Sequence, residues 1–69
     1  MKTKDASTLD GIYALSMEQT HTLLDKGVLT QPQVNNTKSH SANAEDYLGN
    51  LHGLAFAILY RRYRNLKEG

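Results

Sequence analysis

The chain has 69 residues, no cysteine, and eight basic against seven acidic side chains, for a formal net charge of +1. One small domain is the only sensible organisation at this length, and the near-zero charge excludes a polycation of the histone or ribosomal type. The absence of cysteine excludes disulfides, thiolate catalysis and cysteine-based zinc sites.

A domain of this size buries only about 60% of the surface its unfolded chain exposes. Small scaffolds make up the shortfall with disulfides, metal or oligomerisation. A cysteine-free chain fits a reducing compartment. Lys2 and Lys4 precede no apolar stretch, so no secretory signal is expected. The longest apolar run, Leu54–Tyr60, falls far short of the ~20 residues that span a bilayer. The expectation is a soluble cytoplasmic protein.

Residues 1–6 are polar and expected to fray. Ser7, with Asp10 three residues on, is the expected N-cap of a first helix over Thr8–Lys26. Leu9, Tyr13, Met17, Thr20, Leu24 and Val28 recur at spacings of three or four, and Ile12, Leu15 and Leu23 broaden that stripe. Tyr13 and Met17 are accordingly expected in the core or at its rim. Gly27 is placed to end the helix as a left-handed C′ residue, with Val28 packing back on Leu23 or Leu24.

A new start follows at once. Thr30 and Gln33 form a capping box, Leu29 and Val34 a hydrophobic staple, and Pro32 lies in the first turn where its missing N–H does no harm. A short second helix over Gln31–Lys38 is expected. Residues 35–43 are polar and poor in helix formers, and can be read as a loop or as a weak helical continuation.

The stretch Leu23-Leu24-Asp25-Lys26-Gly27-Val28-Leu29-Thr30 resembles the turn of the short helical-hairpin motif called SHOCT. That motif joins a leucine-bearing helix to a second helix through a glycine, two aliphatics and a threonine, and Lys38 is similar to its later basic position. The family continues with acidic residues and an aromatic, where this chain has Gln31, Pro32, Gln33 and Val34. The resemblance covers about a quarter of the chain and implies only a small oligomerising or targeting hairpin.

Asn43, with Asp46 three residues on, is the expected N-cap of a long third helix over Ala44–Leu66. Gly49, Gly53 and Ala57 fall in line on one face at a spacing of four. Two glycines inside a helix each cost about 0.5–1 kcal/mol relative to alanine, so a line of them suggests close approach of another backbone. The sequence leaves open whether that is the first helix or a second copy. Leu51, Leu54, Ile58 and Leu59 lie beside the line, and Phe56 lies on the far side from Leu51 and Ile58, so burying all of them needs two partners. Tyr47 faces the apolar side and belongs to the core or its rim. No strand-like alternation and no internal repeat is present.

The helix ends in Tyr60-Arg61-Arg62-Tyr63-Arg64. Arginines supply forked donors for phosphate and tyrosines a stacking face. The preferred reading is plainer: cations at a helix C-terminus complement its dipole, as Glu45 and Asp46 do at the N-terminus. His21, His40 and His52 have no metal-ligand spacing. Asp10, Asp25, Glu45 and Asp46 are explained by capping, and no nucleophile elbow or glycine-rich phosphate loop occurs. No enzyme activity, cofactor or metal is therefore expected.

The fold expected is all-α, a helical hairpin or three-helix unit with a long C-terminal helix, assembled into a dimeric helical bundle. Its packing or dimer interface is expected at Gly49, Leu51, Gly53, Leu54, Phe56, Ala57 and Ile58. Tyr60, Arg61, Tyr63 and Arg64 are the candidate partner or anion contacts. The function expected is a non-enzymatic dimeric adaptor or inhibitor that regulates a larger protein. An anion-binding module for nucleic acid or nucleotide, and a purely structural oligomerisation unit, are the alternatives.

Overall fold

The computed structural model describes residues 6–68. Among these residues the chain forms four helices and no strand: α1 (Leu9–Ser16), α2 (Thr20–Asp25), α3 (Gln31–Ser39) and α4 (Ala44–Glu68). The architecture is all-α, with one long C-terminal helix against which the shorter ones pack. The 25 residues of α4 span about 37 Å at 1.5 Å per residue, which matches the 36 Å long axis of the molecule.

The helix ends follow local chemistry. At the close of α2, Gly27 takes φ +72°. Its N–H donates to the Leu24 carbonyl at 3.1 Å and the Val28 N–H to the Leu23 carbonyl at 3.0 Å. These two bonds are the Schellman pattern, and Leu23 and Val28 are both buried behind it. At the start of α3 the Thr30 N–H donates to Gln33 Oε1 at 2.8 Å, and the Gln33 N–H donates to Thr30 Oγ1 at 3.4 Å. Leu29 and Val34, the staple pair, are both buried. The Asp46 N–H donates to Asn43 Oδ1 at 2.8 Å, capping α4 as expected.

Three expectations are corrected. The single helix over Thr8–Lys26 is two helices, broken at 17–19, where Gln19 is extended at φ −67°, ψ 155°. The core takes Ile12, Leu15 and Ser16 from α1. A straight continuation of that face would bring Gln19 inward next, and burying an amide without a partner is unfavourable. The break leaves Gln19 exposed and lets Leu23 reach the core. Second, Thr8 rather than Ser7 is the cap, accepting from the Gly11 N–H at 2.9 Å. Third, the expected stripe of α1 points outward. Leu9, Tyr13 and Met17 are exposed, and the residues taken as its margin, Ile12 and Leu15, form the core.

Of the 35–43 segment, residues 35–39 are helical and 40–43 form the turn into α4. The fraying expected over 1–6 lies outside the described residues except at Ala6, which packs against the core.

The core unites Ile12 and Leu15 of α1, Leu23 of α2, Val28 and Leu29 of the turn, Val34 of α3, and Leu51, Ala55 and Leu59 of α4. Tyr47, Leu54 and Ile58 pack half-buried at its edge. The small residue at the centre of α4's buried face is Ala55, fully inaccessible. Leu59 is 1% exposed and belongs to the core cluster. Leu59→Ala should lower unfolding free energy by about 2–5 kcal/mol, measured by urea denaturation, a large fraction of the stability of so small a domain.

Candidate functional site

Residues spaced three and four apart share a helix face, and α4 has two contrasting ones. Leu51, Ala55 and Leu59 form its buried line. Gly49, Gly53, Phe56, Ala57 and Tyr60 on the other side are all exposed. The interface residues expected from sequence therefore divide. Leu51 belongs to the core of the chain itself, Leu54 and Ile58 edge that core, and Gly49, Gly53, Phe56 and Ala57 face outward. A Cβ built at Gly49 or at Gly53 meets no atom within 4 Å. The glycine line is thus not a seat for α1. Leu51 and Leu59 are covered within the chain, whereas Phe56, on the far side, is not.

Phe56 begins a ladder of rings. Its ring stacks on Tyr60 at 6.1 Å between centroids and 8° between planes, and Tyr60 stacks on Tyr63 at 6.2 Å and 21°. Lys67 Nζ lies 5.8 Å from the Tyr63 centroid, in cation–π range. The next ridge is α1. Tyr13 meets His52 edge-on at 6.2 Å, and Met17 and Leu48 line one cleft. Pairing 13 with 52, and setting 17 and 48 around one cleft, runs α1 antiparallel to α4. Tyr13 and Met17, expected in or near the core, are instead the outer wall of this surface. Their spacing marks a helix face, but spacing alone does not say which face is covered.

The cleft has a volume of about 260 Å³ and is lined by Ser16, Met17, Leu23, Leu48, Leu51 and His52 among others. Its wall is mostly carbon, suited to an aliphatic or aromatic side chain. Of the seven large apolar side chains exposed among the described residues, Leu9 and Tyr13 belong to α1, Met17 to its C-cap, and Leu48, Phe56, Tyr60 and Leu66 to α4. None belongs to α2 or α3.

The arginine cluster separates into individual tasks. Arg62 Nη2 donates to the Gly27 carbonyl oxygen at 3.2 Å, tying α4 to the turn after α2. That contact was not legible, because 35 residues separate donor and acceptor. Arg64 pairs with Glu68 at 3.2 Å, one turn along the same helix. Arg61 has no ion pair or side-chain hydrogen bond among the described residues. His21 and His40 are exposed, and His40 Nδ1 lies 2.8 Å from the Asn36 carbonyl oxygen at the end of α3. Among the described residues no three His, Asp or Glu side chains gather as a metal site would require.

Compared with protein-family models, curated proteins and solved structures, the chain matches none. The turn that resembles the helical-hairpin motif is accounted for by its Schellman and capping-box hydrogen bonds.

Two expectations follow. Gly53→Ala should raise stability by about 0.5–1 kcal/mol, read as a higher denaturation midpoint, because the new methyl meets open space. Arg62→Ala should cost about 1 kcal/mol through the lost bond to Gly27, while Arg61→Ala with Arg64→Ala should stay within about 0.5 kcal/mol of the parent. Parallel thermal melts of the two variants separate the structural arginine from the others.

Proposed function

We propose that this chain is a small non-enzymatic interaction module, an adaptor or inhibitor that works as a homodimer and binds a larger cytoplasmic protein. The observation that carries the reading is the segregation of exposed apolar side chains onto α1 and α4. Exposed apolar side chains gathered on two adjacent elements are a feature of interaction sites on soluble proteins. The aromatic ladder at Phe56, Tyr60 and Tyr63 supplies rigid anchors of the type that dominate interface energetics. The exposed side of α4 suits self-association. The cleft beside Met17 and Leu48 suits an apolar side chain of the regulated protein. No helix among the described residues is long and apolar enough to cross a membrane, which is compatible with this assignment.

The second reading is anion binding at the end of α4. It is favoured by Arg61, exposed beside Tyr60 with no ion pair among the described residues. Three arginines with two of them engaged make a weaker anion site than the apolar surface makes a protein site.

Immobilised protein carrying a photo-crosslinker at Leu48 should capture one defined protein from the source cells. Adding Met17→Glu to the crosslinker-bearing protein should abolish that capture while leaving the helical circular-dichroism signal and melting midpoint unchanged. Capture that survives Met17→Glu but collapses tenfold or more between 50 and 200 mM salt would instead support the anion reading.

A further inference from the structure

We infer that the exposed face of α4 is built to pair antiparallel with the same face of a second copy, about a two-fold axis at Phe56. This deepens the homodimer reading above and rests on it. On the outer side of α4, residues 45, 49, 52, 56, 60, 63 and 67 follow one another at steps of 4, 3, 4, 4, 3 and 4. This is the spacing of a single seam along a helix, about 33 Å long at 1.5 Å per residue. None of its members is buried; His52, which meets Tyr13, and Tyr63, which also packs against the edge of the core, are half-exposed, and the rest are exposed.

The steps read the same in both directions, so reversing a second copy about Phe56 brings each position against a defined mate. Glu45 meets Lys67, placing opposite charges at both ends of the seam. Gly49 meets Tyr63, placing the smallest residue against a large ring, and a Cβ at Gly49 would meet nothing within 4 Å, so the space for that ring is present. His52 meets Tyr60, ring against ring, and Phe56 meets its own copy on the axis.

Parallel pairing reverses this logic. It sets Glu45 against Glu45, Lys67 against Lys67 and the three-ring ladder against itself, leaving Gly49 facing Gly49. The two helix dipoles also align unfavourably in the parallel arrangement and favourably in the antiparallel one. An unrelated partner would need complementarity to the seam, but nothing would require the seam to complement its own reverse. Self-complementarity of one patch is the defining feature of a two-fold interface.

The chain has no cysteine, so single substitutions give clean disulfide reporters. Glu45→Cys and Lys67→Cys full-length proteins are prepared separately and mixed in equal amounts. Each is oxidised alone and in the mixture, with solution mass followed by light scattering over a concentration series. The expected result is a dimeric mass, a cross-linked heterodimer in the mixture, and at least tenfold less cross-linking for either protein alone. Phe56→Glu, which introduces charge at an already exposed position, should give a monomer with unchanged helix content. Efficient cross-linking of Glu45→Cys to itself at dimeric mass would overturn the antiparallel register but leave the homodimer reading standing. A dimer whose mass Phe56→Glu does not change would place the interface elsewhere. A monomer at every concentration would overturn both the register and the homodimer.

Discussion

The structure is organised by one constraint: three short helices have to bury a helix that runs the full length of the molecule, and they cover only one side of it. Leu51, Ala55 and Leu59 satisfy that constraint from α4, and Ile12, Leu15, Leu23, Leu29 and Val34 satisfy it from the rest of the chain. The other side of α4 stays in contact with solvent, including Phe56 and Tyr60 of the ring ladder, whose last member, Tyr63, reaches the edge of the core. Among the described residues no other element lies on that side.

The same constraint explains the placement of small residues. Where α4 faces the core, its smallest side chain is Ala55, which has no accessible surface. The glycines, which would permit an even closer approach, lie on the open side with empty space above their Cα atoms. Glycine inside a helix is unfavourable for the isolated chain. Its presence on the uncovered face, next to aromatic side chains, is consistent with a surface shaped for a neighbour rather than for the fold of one copy. Arg62 is the counterexample among the polar residues. It leaves the cluster at the end of α4 and spans to the Gly27 carbonyl, so one member of an apparent functional group holds the fold.

Much of the local architecture was legible from residue order. The Gly27 stop, the Thr30–Gln33 box with its Leu29–Val34 staple, and the Asn43 cap are all realised. The outward position of Phe56 relative to Leu51 also follows from helical periodicity. The division of the candidate interface was not legible. Gly49 and Phe56 face out while Leu51 faces in, but apolar side chains cover most faces of α4, so periodicity offered no single buried side. The first helix misled for a related reason. Its regular line of Leu9, Tyr13 and Met17 looked like the inner face, yet the narrower pair Ile12 and Leu15 was buried instead.

What the sequence determined by itself is the stop at Gly27 and the starts capped by Thr30 and Asn43, because these capping bonds join residues at most five positions apart and do not depend on the rest of the fold. Tertiary structure alone decided the break at 17–19, the face that α1 turns inward, and the bond from Arg62 to Gly27. Each of these depends on where α4 lies against the earlier helices. That position is set by the joint burial of side chains distant in sequence, which no local pattern encodes.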